Sequence, residues 1–227
     1  MSAEMEAYNK YEYWLAGIVS LPGRKKIYLK SLFGEAERIY QASERELEQI
    51  SILTECEKEG IRSAKKKTDE ELERELAYCR QKEIMLAVWQ HNAYPTRLEH
   101  IYNPPYGLFY RGKLPDGGQK SVSIVGARKC TCYGKAVAQQ IGKGLAAADI
   151  LVVSGMAAGI DGAAQRGALC GGGSTLGVLG CGVDVCYPAA NRELYERLIT
   201  NGCVVSEYPP GSALTADLPA GTACSGG

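Results

Sequence analysis

No run of about 18 apolar residues occurs in the 227-residue sequence, which excludes a helix of membrane-spanning character. The first ten residues, Met1 to Lys10, are polar and acidic and lack the charged-then-apolar layout of a secretory signal, so a cytoplasmic location is expected. Neither charge is in excess: Lys plus Arg and Asp plus Glu number 26 each. The chain as a whole therefore attracts no polyanion from a distance, and any nucleic-acid site has to be local. The nine cysteines are odd in number and contain no Cys-x-x-Cys pair, so they are expected to be reduced and mostly to serve as small core residues. Cys130 and Cys132 are too few for a metal, and the two histidines, His91 and His100, lie in another segment, so no metal site is expected. Walker loops are absent, and no Gly-x-Gly-x-x-Gly follows a strand: Gly126 lacks its partners, and Gly180-x-Gly182 runs on to Val185. No cofactor is expected. Histidine is missing from the second half and Ser154 has no base beside it, so no catalytic residue is assigned.

What is present is distributed unevenly. Residues 1–118 hold 37 of the 52 charged side chains and only 8 of the 27 glycines, a shift that marks two domains. The expected division is a helical N-terminal domain with a connecting segment over 1–112, a turn-forming linker over 113–118, a partial Rossmann-like domain over 119–211 and a tail over 212–227. In the first half, Tyr8, Tyr11, Trp14, Leu15 and Ile18 recur at helical spacing over Glu6 to Ser20, and the pattern stops at Leu21-Pro22-Gly23. Ile27 to Phe33 reads as a short amphipathic helix, Ser43 with Glu46 as a capping box opening another, and Thr68 to Gln81 as a solvated helix. The cations Arg24, Lys25 and Lys26 after Pro22-Gly23 resemble the hairpin of a helix-hairpin-helix module, though with one glycine where two are usual. Lys65-Lys66-Lys67, flanked by Glu70, Glu71, Glu73 and Glu75, reads as a solvated helix face.

The second half alternates strand and helix. Apolar, β-branched runs at 121–125, 150–153, 174–179 and 203–206 are separated by helical stretches at 133–148, from about 159, and at 191–200. Strands buried on both faces and joined through helices mean a parallel sheet of Rossmann type, with ligands at the carboxyl ends of the strands. Those ends carry Gly126-Ala127-Arg128-Lys129, then Ser154 to Asp161, then Gly180-Cys181-Gly182. Free N–H groups at helix starts there would form a phosphate-binding rim.

These loops, taken in order with Tyr133-Gly134, with Tyr187-Pro188 and Asn191, and with Ser206 to Gly211, resemble the signature of the DNA-processing protein A family (DprA, also called Smf). The first half is similar to that family's sterile-alpha-motif-like domain, followed by Tyr94-Pro95-Thr96-Arg97-Leu98 and Pro104-Pro105, with Leu108 to Gly112 leading into the sheet. The resemblance implies an extended Rossmann domain that binds single-stranded DNA, forms a homodimer and helps load a RecA-type recombinase during natural transformation, with no chemical reaction. By the same resemblance Gly126, Ala127, Arg128, Lys129, Ser154, Gly155, Met156, Ala157, Gly159, Ile160, Asp161 and Gly182 contribute to the DNA pocket. Gln165 stands where the family usually has histidine. After Gly211 the sequence no longer resembles the family, as in a truncated or frameshifted product, which would leave Val204 and Val205 on a poorly covered last strand.

Two other functions compete. Gly171-Gly172-Gly173-Ser174-Thr175 is superficially similar to the loop of nucleoside-monophosphate phosphoribohydrolases, but it precedes a strand, has no proline before it and no glutamate soon after. An inert remnant with an unpaired strand edge is the third reading.

Overall fold

The computed structural model describes residues 9–214, and the chain divides into two compact units, 1–108 and 109–227. The expectations for Glu6 to Tyr8, for Cys224 and for the tail beyond residue 214 lie outside the described residues.

The first unit is built from short capped helices. Asn9 accepts the Tyr11 and Glu12 N–H groups and starts helix α1 (Lys10–Ala16). Helices α2 (Gly23–Phe33), α3 (Ala36–Gln41), α4 (Glu44–Glu48), α5 (Glu55–Ala64) and α6 (Asp69–Gln81) follow. The Ser43–Glu46 box opens α4 as expected, and the same Ser/Thr-x-x-Glu pattern opens α5 at Thr54–Glu57 and α6 at Thr68–Glu71. Each box supplies two of the N–H acceptors that a helix start lacks, which sustains helices too short to form alone. Trp14, Leu15, Leu29, Ile39, Leu47, Ile61 and Leu72 make the buried interior, and the Trp14 indole donates to the Ala64 carbonyl at 2.9 Å.

The Pro22-Gly23 hairpin spends its chemistry inside this unit. A Cβ at Gly23 would stand 2.0 Å from the Pro104 carbonyl oxygen, so glycine is needed for a close backbone approach. Lys26 is buried and donates to the Ala16 carbonyl at 2.7 Å, and Lys25 pairs with Glu57 at 2.6 Å. Only Arg24 is exposed, over the Tyr102 ring at 5.1 Å. In the lysine run, Lys67 pairs with Glu75 at 2.6 Å and Lys65 donates to the Ala42 carbonyl.

Glu57 makes this region sensitive to acid. Burial alone would raise its carboxyl pKa, but the Lys25 ammonium and the Thr54 N–H and hydroxyl outweigh it and hold the group below the usual range. A pKa lower in the folded chain gives stability that is present above the unfolded value of about 4.3 and is lost as pH falls through the folded value. Glu57→Gln is expected to cost about 1–2 kcal/mol at pH 7, and the cost should shrink as pH drops below about 4. Chemical denaturation at pH 7 and pH 3 checks this; an equal loss at both would refute it.

The first unit also contains strand β1 (Met85–Val88), helix α7 (Thr96–Glu99) and the start of β2 (Gly107–Gly112), whose neighbour in the sheet is β1. Strand β1 departs from the expected helical reading, because a run of four residues is too short to show a strand period, whereas β2 falls on the Leu108 to Gly112 segment expected to lead into the sheet.

The second unit carries the rest of β2, then β3 (Ser121–Ser123), α8 (Cys132–Ala147), β4 (Leu151–Ser154), α9 (Ile160–Cys170), β5 (Thr175–Val178), α10 (Arg192–Asn201) and β6 (Cys203–Ser206). Their order is β2-β6-β5-β4-β3, with the last four mutually parallel. β2 runs antiparallel to β6 and pairs Tyr110 with Val205 and Arg111 with Val204. This corrects the expectation of a poorly covered last strand: Val204 and Val205 are buried, because β6 is an inner strand. Among the described residues, the parallel run ends instead at β3, which has no strand on the side away from β4 and all three of whose residues are exposed.

The cysteines also depart from expectation. Cys79, Cys181 and Cys203 are buried, Cys130 and Cys186 are half-buried, and Cys56, Cys132 and Cys170 are exposed, each of these three lying at a helix end. All eight are free thiols.

Candidate nucleic-acid interface

The carboxyl ends of β3, β4 and β5 gather at one end of the sheet, and the loops there are held by their own side chains. Ser154, the last residue of β4, is buried and its hydroxyl donates to the Ile124 carbonyl at 2.6 Å. The chain then turns through Met156, fully buried in a left-handed conformation at φ 56°. Such a backbone costs about 1–3 kcal/mol unless its surroundings impose it. Asn191 supplies the constraint: its amide donates to the Met156 carbonyl at 2.8 Å and to the Ala157 carbonyl at 3.3 Å. Arg166 in turn donates to the Asn191 side-chain oxygen at 2.8 Å.

Gly159 precedes α9 at φ 90°, and a Cβ there would stand 2.2 Å from the Ala127 carbonyl oxygen and 2.6 Å from that of Arg128. No other residue lets the two loops approach so closely. Asp161, in the first turn of α9 and buried, joins the strand ends: its carboxylate accepts the Gly126 N–H at 3.1 Å and the Gly155 N–H at 3.2 Å.

These bonds engage four of the N–H groups expected to be free for phosphate. Gly126 and Gly155 donate to Asp161, Ile160 donates to the Ala127 carbonyl at 3.3 Å, and Gly162 to the Ala157 carbonyl at 3.1 Å. The start of α9 thus has an acid of its own where an anion was expected, as helix N-termini favour.

Between the loops lies a cleft of about 260 Å³ lined by Arg128, Gly155, Ala157, Ala158, Asp161, Val178, Leu179, Gly180, Cys181, Tyr187, Pro188 and Leu214. Of the residues named from sequence, Arg128, Gly155, Ala157 and Asp161 face it. Gly126, Ala127, Ser154, Met156, Gly159 and Ile160 belong to the loops that frame it, and Lys129 is exposed next to Arg128. Gly182 is packed elsewhere, against the turn at 209–212: it donates to the Ser212 carbonyl at 2.9 Å, and a Cβ would meet the Gly211 nitrogen at 2.9 Å. Sequence reasoning missed the walls formed by Val178, Leu179, Cys181, Tyr187 and Pro188. Their signal was the pair of motifs Gly180-Cys181-Gly182 and Tyr187-Pro188, quoted for the family likeness but not carried over as site residues.

The electrostatics of the cleft are local. The described residues of the second unit carry ten Lys and Arg against seven Asp and Glu, although the whole chain is balanced. Arg128 and Lys129 are both exposed, and neither is paired with a described carboxylate. A nucleophile is harder to find. The Cys181 thiol, by burial first and by Asp184 beside it, is pushed up to about 11 and stays protonated at neutral pH. The glycine loop at 171–174 joins α9 to the amino end of β5, opposite the cleft, which removes the geometric basis for the phosphoribohydrolase reading.

Residues 85–218 match the family DNA recombination-mediator protein A. The chain is similar to DNA processing protein DprA of Streptococcus pneumoniae, 41% identical over 120 residues, 53% of this chain and 42% of that protein. It is likewise similar to DNA processing protein DprA of Bacillus subtilis, 35% identical over 61% of this chain and 47% of that protein. It thus spans less than half the length of either relative. The crystal structure of the Streptococcus pneumoniae protein superposes with a TM-score of 0.67 at 29% identity, over 92% of this chain and 71% of that one. A structure of DNA processing protein A from Helicobacter pylori, concerned with its single-stranded DNA binding mode, superposes with a TM-score of 0.50 at 26% identity, over 58% and 59% of the two chains. With more than half of its residues inside the family match and a mixed sheet in the family's arrangement, the chain belongs to the DNA recombination-mediator protein A family.

Proposed function

We propose that this chain binds single-stranded DNA at the carboxyl end of its parallel strands and acts as a recombination mediator, without a chemical step of its own. The observation that carries the reading is the exposed Arg128–Lys129 step at the cleft, unpaired among the described residues, on the basic unit of a charge-balanced chain. Both cations can form charge-assisted bonds to phosphate oxygens. Gly155, Ala157 and Asp161 line the cleft, while Gly126, Ala127, Ser154, Met156, Gly159 and Ile160 hold its loops in place. The likeness to the Helicobacter pylori protein, whose single-stranded DNA binding was studied structurally, supports the ligand class. Delivery of the strand to a RecA-type recombinase, and action as a homodimer, complete the proposal by family likeness.

Fluorescence anisotropy with a labelled oligonucleotide over a salt series tests it. Affinity should fall with salt at about 0.7 in log–log slope per phosphate neutralised, as for single strands. Replacing Arg128 and Lys129 together by alanine should cost about 1–3 kcal/mol and flatten the slope by about 1.4. Binding indifferent to salt, or a double variant that binds like the parent chain, would refute the assignment.

A further inference from the structure

Resting on that reading for its consequence, we propose that Cys130 and Cys132 are an oxidation site: a hydroperoxide converts the two thiols to a Cys130–Cys132 disulfide, which weakens the hold of Arg128 and Lys129 on the strand. Access and electrostatics are the first reason. Cys132 is exposed and Cys130 half-buried, whereas Cys79, Cys181 and Cys203 are buried. Cys132 opens the 16-residue helix α8, at its positive end, and that first turn contains no acid. Arg128, Lys129 and Lys135 all stand within four residues of it. The other exposed thiols differ: Cys56 lies between Glu55 and Glu57, and Cys170 ends α9, at the negative end of that helix. Reactive cysteines occupy electropositive, partly exposed positions, which singles out the Cys130–Cys132 pair.

Backbone geometry is the second reason. Thr131 between the two cysteines is extended, at φ −69° and ψ 160°, and an extended residue sets the side chains of its two neighbours on one side of the chain. Two extended residues span at most about 7 Å, and disulfides join Cα atoms about 4.4–6.8 Å apart. The bridge is within reach at its upper limit, so closing it draws in the backbone at Thr131. That residue is one of two anchors: its hydroxyl accepts the Gly134 N–H at 3.0 Å, and on the other side the Ala127 carbonyl accepts the Ile160 N–H at 3.3 Å. Arg128 and Lys129 lie between the anchors, so moving one of them re-aims both cations.

The chemistry needs one co-reactant, the hydroperoxide. The Cys132 sulfur attacks a peroxide oxygen, the O–O bond breaks, and the other oxygen leaves with the thiol proton as an alcohol or water. The Cys130 sulfur then attacks the sulfenic sulfur of Cys132, the S–O bond breaks, and that oxygen leaves as water with the Cys130 proton. Each sulfur loses one electron, and the peroxide oxygens take up the two. Strained or exposed disulfides are the labile ones, so a thiol reductant reverses the change.

The test treats the full chain with tert-butyl hydroperoxide, blocks the remaining thiols and digests with trypsin. The peptide from Cys130 to Lys135 carries these two cysteines and no other, and it should emerge unblocked and two hydrogens lighter. The oxidised chain should bind a labelled oligonucleotide about tenfold more weakly than the reduced chain, the size of one lost charge-assisted bond, and dithiothreitol should restore the affinity. Cys132→Ser should bind like the reduced parent and lose the response to peroxide. A peptide that keeps its thiols, or that gains oxygen instead of losing hydrogen, would overturn the disulfide. A disulfide that leaves the affinity unchanged would overturn its coupling to the cations, as would a Cys132→Ser chain that weakens under peroxide like the parent. If the reduced chain binds no strand, the DNA-binding reading fails and the coupling with it, while the peptide mass still decides the disulfide.

Discussion

Gly167→Ala should destabilise the second unit by about 3 kcal/mol or more, although alanine is the better helix former by about 1 kcal/mol. The reason is the crossing of α8 and α9. A Cβ at Gly167 would stand 2.0 Å from the Gln139 carbonyl oxygen and 2.7 Å from its carbon, and backbone atoms cannot swing aside as a side chain can. Gly142 makes the reciprocal approach, 2.1 Å from the Ala164 carbonyl oxygen. Moving the helices apart would loosen Ala138, Val152, Ala164 and Ala168, the buried cluster beneath the crossing. Against a total stability of about 5–15 kcal/mol this is a large fraction. Thermal unfolding by circular dichroism and hydrogen exchange at the β4 amides are the measurements. The two effects have opposite signs, so a raised melting temperature would show that helix propensity outweighs packing and that the helices have room to part.

Asp161→Ala is the second large effect. Asp161 accepts two backbone N–H groups from different strand ends, and both bonds involve a charged acceptor. Bonds of that kind contribute about 1.5–3 kcal/mol each, and a donor left without a partner costs about 1–3 kcal/mol. Some of this will be recovered where water reaches Gly126 and Gly155, both of which are exposed residues. A net loss of about 3 kcal/mol is therefore expected, equivalent to a fall of roughly 6–12 °C in melting temperature for a chain of this size. Asp161→Asn should lose less, because its amide oxygen can still accept one N–H. A melting temperature within a degree or two of the parent for the alanine variant would mean that the strand ends are held by other bonds, such as that from Ser154 to Ile124.

The division into a charged, helical part and a glycine-rich, strand-and-helix part could be read along the chain, because composition and hydrophobic period are properties of neighbouring residues. So could the Ser43–Glu46 cap, where a side chain three positions on closes the contact, and the Arg128–Lys129 step after the first parallel strand. The same pattern opens α5 and α6 and could have been found by the same rule. The family likeness was legible for a different reason: six motifs recur in order, each at a strand end or helix start where the backbone limits the choice of residue.

Other features depended on partners distant in the chain. Met85–Val88 and Gly107–Gly112 are too short to show a period, and only the pairing of β2 with β6 reveals that Val204 and Val205 are covered. Gly142 and Gly167 read as weak points of their helices until the helices are crossed. The glycine N–H groups at the strand ends looked free for phosphate, since nothing local says that Asp161, 35 residues after Gly126, will accept its hydrogen bond. Local signals decided which segments become helix or parallel strand and where the Arg128–Lys129 step stands. Tertiary structure alone decided which strand lies at the edge, which donors are already spent and which side chains wall the cleft, because each of these depends on an approach between backbones that no stretch of sequence contains.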